Sequence, residues 1–511
     1  MAGVIEDLNY WWRVNRLATN TTGDYITITS PYGDKLYSLE LSSESDISTA
    51  IHTAKAAQVA WGSLGLRNRA RVILRFHDLV LAHKDELLDL IQWETGKPRR
   101  DANEELLDVM LNARYYARHV GALKDRKHSG VFPLLISAIE RHVPVGVVGI
   151  IAPWNYPLTL AVSDAIPALL AGNAVVLKPD PLTSATALYV IDLLYRAGLP
   201  EGLFGVVIGD GEKLGAPLIN QVNFLMFTGS TKVGRVVAAQ CGEQLIGTAL
   251  ELGGKNAMII RADSDVEKAA EIATRACFGN TGQLCISIER LYVHESIEQT
   301  FLESFVRKTR AMTYQDSVGW GGSFGPLISP VHAARVMAFI SDARDKGAKI
   351  HTGGELAGNA TIAPTIMTGV TEQMNVCRDE TFGPVVAVSA FSSDSEAIGL
   401  VNDSEYGLNA SVISKNRKVA LAIARELHAG TVNINEGYAT AWSTLGSPMG
   451  GFGASGLGRR HAVAGILQYT QSQTIATQNA LGFGPPFGLN DEKWGNLLTA
   501  SLGVMKKIGL R

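Results

Sequence analysis

The apolar positions between residues 66 and 98 recur at the spacing of an α-helix. Five of them would share one face of that helix: Val72, Ile73, Phe76, Leu79 and Val80. The pattern stops at the tripeptide Gly96-Lys97-Pro98. Because glycine and proline both interrupt helices, the spacing predicts helical structure that ends at this breaker.

After residue 145 the pattern changes to short apolar or β-branched runs. These runs are VGVVGIIAP (145–153), AVVLKP (174–179), FGVVIG (204–209) and FLMFTG (224–229). Stretches with helical character, such as LTSATALYVIDLLYRAG, separate them. Strands that alternate with helices in this way predict a parallel sheet covered by helices on both faces.

A second strand–helix series follows from about Thr248. It runs through KNAMII, a helical stretch at 266–278 and RLYVH, and it predicts a second α/β domain. LGFGPP, from Leu481 to Pro486, has the composition of a linker. The tail EKWGNLLTASLGVMKKIGLR could form an amphipathic helix. Its basic residues suit a membrane surface, but packing on its own protein or on a sister subunit is the favoured interpretation.

Length and charge narrow the possible functions. A chain of 511 residues is too long for one core, so we expect roughly two to four domains. The 46 basic and 49 acidic residues leave a net charge of −3, which does not indicate nucleic acid or an anionic membrane as a partner. Small molecules are the expected partners. No apolar run is long enough to predict a membrane-spanning helix.

The cysteines bear on the compartment. Cys241, Cys277, Cys285 and Cys377 occur without a C-x-x-C pair, which argues against a disulfide framework and a thiolate zinc site. No metal is therefore predicted. The N-terminal MAGVIEDLNYWWRV carries acidic residues where a secretory signal needs basic ones. We expect a protein of the reducing cytoplasm.

Two glycine-rich segments could contact phosphates. GFGASG at 451–456 fits G-x-G-x-x-G, but it follows a Ser-Pro-Met turn instead of a strand, so it does not predict a dinucleotide site. GSTKVGR at 229–235 lies between the FLMFT run and an apparent helix. Ser230 or Thr231 could cap that helix and leave its N-terminal amides facing a pyrophosphate.

Cys285 lies in the segment FGNTGQLCIS (278–287), where small and amide-bearing residues surround the sulfur. Glycines at 279 and 282 make the loop thin enough for a ligand to approach. A free thiol has a pKa of about 8.5, so a nucleophilic cysteine needs a site that favours the thiolate. These residues alone leave Cys285 either a nucleophile or a buried structural cysteine. The other three cysteines are predicted to be structural.

Five motifs together resemble the aldehyde dehydrogenase superfamily in order and spacing. They are PWNYP (153–157), FTGSTKVG (227–234), ELGGKN (251–256), FGNTGQLC (278–285) and ETFGP (380–384). The resemblance covers about residues 40–475, and the stretches RACF-N-GQLCISIER and SPMGG-G-SG-GRRH look most like actinobacterial succinate-semialdehyde dehydrogenases. It implies an α/β fold with two doubly wound domains, a Rossmann-like cofactor domain and a catalytic domain, plus a small β oligomerisation arm.

The resemblance assigns three catalytic roles. Cys285 matches the family's nucleophile, Glu251 its general base and Asn155 its oxyanion donor. It implies that a thiohemiacetal forms, becomes a thioester, and is hydrolysed to the acid by a water that Glu251 deprotonates. Coenzyme-A-acylating relatives commonly lack this base, so Glu251 favours the free acid as product. A relative that keeps the fold without turnover is a further alternative, which the intact catalytic set disfavours.

The resemblance also implies a nicotinamide cofactor. The positions that match the family's cofactor contacts are Trp154, Lys178, Gly229, Ser230, Leu252, Glu380 and Phe382. NAD-preferring members often carry a glutamate three positions after the lysine, where this chain has Pro181. Without that carboxylate, Lys178 can pair with a 2′-phosphate. We therefore expect NADP, with NAD possible and Asp180 as the residue that opposes this prediction.

Succinic semialdehyde is the substrate that the overall resemblance favours. The arginines that hold its distal carboxylate in many family members match Ser163 and Gly279, neither of which can pair with a carboxylate. Tyr156, Trp442 and Met449 match positions that line the aldehyde tunnel. These residues suit an apolar or aromatic aldehyde, so a dehydrogenase of broad specificity is the alternative.

The family architecture implies boundaries along the chain. Residues 1–120 and 145–250 are expected to form the dinucleotide-binding domain and 251–450 the catalytic domain. Residues 121–144 and 466–485 are expected to form the arm, and 486–511 the tail. IERHVPVG, near the end of the first arm segment, alternates like an edge strand. The arm implies a homodimer or a dimer of dimers.

Overall fold

The computed structural model describes residues 16–130, 136–479 and 484–509. Most of the N-terminal segment and part of the predicted linker at 481–486 lie outside the described residues. The strands are β1 Tyr25–Thr29, β2 Lys35–Glu40, β3 Arg126–Ser129, β4 Ile136–Pro144, β5 Val147–Ile151, β6 Ala174–Lys178, β7 Phe204–Val206, β8 Phe224–Thr228, β9 Gly247–Glu251, β10 Asn256–Ile260, β11 Ile288–His294, β12 Lys349–Thr352, β13 Leu356–Ala357, β14 Thr361–Ile362, β15 Thr365–Thr368, β16 Val385–Phe391, β17 Tyr406–Gly407, β18 Asn409–Ile413, β19 Thr431–Ile434, β20 Phe452–Gly453, β21 Gly456–Leu457 and β22 Thr470–Gln478.

The α-helices alternate with the strands of the two large sheets. They are Glu44–Ser63, Leu66–Ala82, Lys84–Thr95, Arg99–His119, Pro157–Val162, Ala165–Ala171, Ser184–Arg196, Gly211–Ile219, Thr231–Glu243, Val266–Phe278, Glu298–Arg310, Pro330–Asp345, Asn375–Arg378, Asp394–Asn402, Arg417–Glu426, Ala439–Trp442, Ala462–Leu467 and Asp491–Lys507.

The four apolar runs between 145 and 229 form four adjacent strands of the first sheet. Its strand order is β21-β9-β8-β5-β6-β7. The pairs among β5 to β9 are parallel, and β21 lies antiparallel to β9 at one edge. Every residue of β5 and β6 is buried. The predicted doubly wound sheet is confirmed.

The second large sheet has seven strands in the order β12-β15-β16-β11-β10-β18-β19. All its neighbours pair in parallel except β12 and β15. Its first strand in sequence is β10, which is formed by the last five residues of the predicted run KNAMII. The expectation that this series begins near Thr248 is wrong, because Thr248 pairs with Leu225 in the first sheet.

A small antiparallel sheet has the order β22-β4-β3. It joins two distant parts of the chain, since Thr470 of β22 pairs with Pro144 of β4. Its strands fall within the segments 121–144 and 466–485 that we assigned to an arm. The sheet therefore gives the two segments one structure, while the predicted domain boundaries and the arm's role in assembly stay predictions.

The predicted helix after residue 66 is two helices. They are interrupted at His83, which ends Leu66–Ala82 and precedes Lys84–Thr95. The second ends where the sequence predicts, because Gly96 takes a left-handed conformation with φ 69°. The tail forms the helix Asp491–Lys507, with Trp494 buried and Leu497, Val504 and Ile508 exposed.

Candidate active site

One cavity of about 440 Å³ lies at the carboxyl ends of the first sheet. The turns after β5, β8 and β9 supply Trp154, Ser230 and Leu252, as expected for a doubly wound sheet that binds ligands beyond its strand ends. Loops that lead into β11 and β16 supply Cys285 and Glu380 from the second sheet. The structure thus brings residues from distant motifs into one space.

An unusual backbone conformation shapes the loop that carries Cys285. Asn280 and Thr281 have φ of 48° and 54°, in the left-handed region that side chains other than glycine seldom adopt. Gly282 continues at φ 72° and lies against the carbonyl of Gly383, where no side chain fits. The backbone therefore lies close to its neighbours on both sides of the loop, as the small residues of the motif predict.

Asn155 and Cys285 are close through their shared neighbours. The Asn155 side-chain Nδ2 donates to the Gln283 carbonyl at 3.1 Å, which uses one of its two N–H groups. Among the described residues, the backbone N–H of Cys285 has no hydrogen-bond acceptor. One amide N–H of Asn155 and the backbone N–H of Cys285 are thus available in the cavity that both residues line.

Glu251 is the last residue of β9 and is almost fully buried. Burial, together with the nearby Asp164, raises the pKa of its carboxyl to about 8. Arg460, which also lines the cavity, opposes that shift. The guanidinium of Arg460 donates to both carboxylate oxygens of Asp164, at 2.9 and 2.7 Å. At neutral pH the carboxyl is therefore largely protonated, and the ionised form that can act as a general base increases as the pH rises through about 8.

The Cys285 thiol is held in its neutral form. Burial, together with the carboxyls of Glu251 and Glu380, raises its pKa to about 12. Arg460 and the backbone N–H of Ile286 oppose it. At neutral pH almost none of the thiol is ionised, so its reaction needs an acceptor for the proton.

The loop between β8 and the helix Thr231–Glu243 has the predicted cap. Ser230 is the N-cap, and its hydroxyl accepts from the backbone N–H of Val233 at 3.4 Å. Gly229 leaves the strand with no room for a side chain, since a Cβ would lie 2.6 Å from the Phe227 ring. Gly229 and the N-cap Ser230 both line the cavity, so the N-terminus of this helix lies at its edge.

Glu380 and Leu252 lie on the same side of the cavity as this loop. The Glu380 carboxylate accepts from the backbone N–H of Gly254 at 3.0 Å. Burial, with Glu289 nearby, raises its pKa to about 7. The Leu252 backbone is fixed by a hydrogen bond to the Ser455 carbonyl at 3.0 Å.

Three rings form a wall beside these groups. The ring centroid of Trp154 lies 5.6 Å from that of Phe382 and 5.5 Å from that of His332, both edge to face. Phe382 has φ 55°, and its carbonyl accepts from His332 Nε2 at 2.7 Å. Phe382 was predicted to lie near the nicotinamide ring and Trp154 to supply a backbone contact to the cofactor, whereas His332 was not identified from the sequence.

Lys178, Asp180 and Pro181 do not line the cavity, although the adjacent Leu182 does. Lys178 Nζ is buried and donates to the carbonyls of Pro179 and Gly209, at 3.1 and 3.0 Å. Burial lowers its pKa, against the influence of the nearby Asp180 and Asp210. The predicted lysine is thus accompanied by two acidic side chains.

Tyr156, Trp442 and Met449 line the cavity, as predicted for the aldehyde tunnel. Ser163 and Gly279 do not. Ser163 is buried behind the cavity, where its hydroxyl donates to Asp108 at 2.5 Å. Gly279 is covered by Tyr438, whose hydroxyl would lie 2.9 Å from an added Cβ. The two positions that match the family's carboxylate-holding arginines are therefore outside the lining of the cavity in this chain.

Sequence reasoning also missed three polar or charged residues that line the cavity beside the catalytic set, namely Tyr438, Glu104 and Arg460. Tyr438 and Glu104 lie at the aldehyde end, where the Glu104 carboxylate accepts from Tyr438 at 3.3 Å and from Arg275 at 3.0 Å. Arg460 lies behind Glu251. Glu104 comes from the helix Arg99–His119, far from every motif in sequence. Arg460 belongs to the GRRH stretch, which was noted only as part of the resemblance.

In the part of the chain that the structure describes, neither a metal-binding cluster nor a membrane-spanning helix is found. No group of three or more His, Cys, Asp or Glu side chains there is arranged to hold a metal ion. None of the helices in the same residues combines the length and apolar character needed to cross a bilayer.

The fold and the cavity define a class of protein, the nucleotide-dependent dehydrogenases whose site contains a cysteine. Comparison with known families identifies the member: residues 18–475 match the aldehyde dehydrogenase family, and the chain belongs to it. It is 46% identical over 480 residues to a Mycolicibacterium smegmatis protein provisionally named succinate-semialdehyde dehydrogenase (NADP(+)), covering 93% of each chain.

Two solved structures are similar throughout. An NADP-dependent enzyme of Escherichia coli has a TM-score of 0.86 and 33% identity, covering 90% of this chain and 96% of that one. The betaine aldehyde dehydrogenase of Staphylococcus aureus in complex with NAD+ has a TM-score of 0.87 and 28% identity, covering 93% and 95%. The chain is therefore an NAD(P)-dependent aldehyde dehydrogenase.

Proposed function

We propose that this aldehyde dehydrogenase oxidises succinic semialdehyde to succinate with NADP, through Cys285, Glu251 and Asn155. One observation carries the proposed roles: a thiol, a carboxyl with a pKa of about 8 and an amide meet in one cavity beside a capped helix N-terminus. A surface carboxylate or a turn-capping asparagine would not be buried here. Their joint burial supports three roles in one reaction.

The thiol adds first to the aldehyde carbonyl. Its sulfur bonds to the carbonyl carbon, its proton passes to a base, and negative charge develops on the oxygen. The free N–H of Asn155 and the backbone N–H of Cys285 would stabilise that charge, and losing one such donor typically costs roughly 10²–10³ in rate. The bound nicotinamide supplies a hydride acceptor. The resulting Cys285 thioester is hydrolysed by a water whose proton Glu251 takes.

The cavity fits a nicotinamide nucleotide. The N-terminal turn of Thr231–Glu243 and the Gly229 backbone can hold its pyrophosphate, because helix N-termini bind anions. Glu380 can accept from the ribose hydroxyls. The rings of Trp154 and Phe382 provide a flat apolar wall for the nicotinamide.

NADP is proposed because the M. smegmatis relative carries that cofactor in its name and because Pro181 replaces an acid found in NAD-preferring members. Lys178 could pair with the 2′-phosphate. Asp180 and Asp210 act against that pairing. NAD therefore remains a cofactor to be measured beside NADP.

Succinic semialdehyde is proposed from the relatives' names. A second candidate, a neutral aliphatic or aromatic aldehyde, is favoured by the lining of the aldehyde end. There Tyr156, Trp442 and Met449 accompany the carboxylate of Glu104, which does not attract an anion. The nearby cations are already paired: Arg275 is bound to Glu104, and both oxygens of Asp164 hold Arg460.

The experiment is a spectrophotometric screen of succinic semialdehyde, propanal and benzaldehyde with NAD and with NADP. The proposal predicts the highest kcat/KM for succinic semialdehyde with NADP and a free acid as product, with or without coenzyme A. If activity with succinic semialdehyde does not exceed that with the neutral aldehydes, the second candidate replaces the first. A product that appears only with coenzyme A would refute the role of Glu251.

Assembly and compartment belong to the same proposal. The sheet β22-β4-β3 has exposed edge strands, which suit pairing with a sister subunit in a homodimer or a dimer of dimers. A thiol nucleophile must stay reduced, which favours the cytoplasm. Light scattering after size-exclusion chromatography tests the oligomer, and a monomeric mass would refute it.

A further inference from the structure

We propose that the buried ion pair Lys97–Glu105 positions the oxyanion donor Asn155, so that Lys97 is a positioning residue for formation of the Cys285 adduct. This inference rests on the proposed role of Asn155. Neither residue of the pair lines the cavity, and both come from the N-terminal helical region.

Three contacts meet at the ammonium of Lys97. Its Nζ lies 2.6 Å from Glu105 Oε1 and 2.5 Å from the backbone carbonyl oxygen of Asn155. It also lies 4.0 Å from the ring centroid of Tyr156, within the range of a cation–π interaction. Both charged side chains are 0% exposed. The cation is therefore fixed against the peptide of the oxyanion donor and the next residue.

Glu105 holds the other end of the same turn. Its Oε2 accepts from the backbone N–H groups of Leu158 and Thr159, at 2.8 and 3.2 Å. These are the second and third residues of the helix Pro157–Val162, whose first N–H groups have no partner within the helix. The pair thus binds a carbonyl before the helix and two N–H groups within it.

The rest of the Asn155 environment fixes the direction of its side chain. Asn280 donates to the Asn155 carbonyl at 3.1 Å and to the Gln283 carbonyl at 3.0 Å. The side-chain amide of Asn155 also donates to Gln283. The backbone is thus held by Lys97 and Asn280, one side-chain N–H is held by Gln283, and the second N–H is left for the oxyanion.

Stability alone does not account for this pair. A fully buried ion pair is often no more stabilising than apolar residues of similar size, because both charges lose their hydration. Methionine and leucine could fill the volume, but they could not bind the Asn155 carbonyl or the two N–H groups. What the charges add is a fixed position, and a displacement of about 1 Å near reacting atoms can cost around 100-fold in rate.

The test compares three variants with the parent: Asn155→Ala, the double variant Lys97→Met/Glu105→Leu, and the triple variant. The double variant leaves no unpaired buried charge. Acylation is measured as the burst of p-nitrophenolate from p-nitrophenyl acetate, in which the Cys285 sulfur bonds to the acetyl carbon and p-nitrophenolate leaves. No nicotinamide is needed, and thermal unfolding of each variant reports on folding.

We expect the double variant to acylate about 10- to 100-fold more slowly than the parent. The triple variant should be no slower than Asn155→Ala, since the pair acts through that amide. The matched control is the buried pair Lys255–Glu289, with Nζ 2.5 Å from Oε2 and side chains 1% and 4% exposed. Replacing Lys255 by Met and Glu289 by Leu should change the acylation rate by the same factor in the parent and in Asn155→Ala.

The inference would be overturned if the double variant acylated at the parental rate. It would also be overturned if the triple variant were slower than Asn155→Ala by the same factor that separates the double variant from the parent. If Asn155→Ala itself acylates at the parental rate, the proposed function fails instead. Should the double variant not fold, Lys97→Gln/Glu105→Gln replaces it. Glutamine is too short to span both contacts of Lys97, so we expect the same loss of acylation rate. In the Asn155→Ala background this replacement should again cause no further loss.

Discussion

Replacing Glu251 by glutamine tests the reaction most directly. The carboxyl has a pKa of about 8, raised by burial, so its base form appears only as the pH rises through that value. At pH 7 about one tenth of Glu251 is ionised, and at pH 9 about nine tenths. If hydrolysis of the thioester limits turnover, kcat of the parent should rise about tenfold between these pH values.

Glutamine keeps the volume of Glu251 but cannot take a proton. We expect Glu251→Gln to lower kcat by roughly 10²–10⁴ and to abolish its rise with pH. Rapid mixing with aldehyde and NADP separates the steps, because the first turnover of NADPH formation reports acylation and the steady state reports hydrolysis. In Glu251→Gln the burst of NADPH should persist, whereas steady-state formation of NADPH should be lost.

The thiol gives an independent measurement. Since the Glu251 carboxylate raises the pKa of Cys285, its removal should move the alkylation of Cys285 by iodoacetamide to lower pH. Cys285→Ala serves as the control for labelling at the other cysteines. A variant that keeps the parental steady-state rate with its rise in pH would refute the role of Glu251 as the base.

Three further substitutions test the surroundings. Arg460→Gln should move the alkaline rise of kcat to higher pH, because Arg460 lowers the pKa of Glu251. Arg460→Lys should leave the rise at its parental pH, since the positive charge is retained. A pH profile of Arg460→Gln identical to that of the parent would contradict this role of Arg460. Glu104→Gln should raise kcat/KM for succinic semialdehyde severalfold relative to propanal, because a carboxylate is lost at the aldehyde end. Asp180→Asn should lower KM for NADP relative to NAD, and an unchanged ratio would exclude Asp180 as a selectivity residue.

The fold follows from local patterns where strands are wholly buried. The runs around β5, β6 and β8 are apolar throughout, and turns bound them on both sides, so their positions were predictable to within a few residues. The break at His83 was not, because the apolar spacing continues through it. The sequence around Thr248 also did not indicate to which sheet β9 belongs, because that depends on its pairing with β8.

The site was predictable where one motif carries both residue type and backbone shape. The Ser230 cap and the thin loop before Cys285 are of this kind. Ser163 and Gly279 match substrate positions in relatives, but neighbouring side chains exclude them from the cavity. Glu104 and Arg460 could not be assigned, because their importance arises from contacts with residues distant in sequence.

Charge balance explains how the thiol and the carboxyls share one buried site. Burial raises the pKa of both Cys285 and Glu251, so at neutral pH the site contains a thiol and a largely protonated carboxyl. A thiolate here would lie beside Glu251 and Glu380, whereas the charge of the adduct lies on oxygen beside the Asn155 amide. Fixed dipoles thus favour the adduct over the free thiolate, which is the preference that catalysis requires.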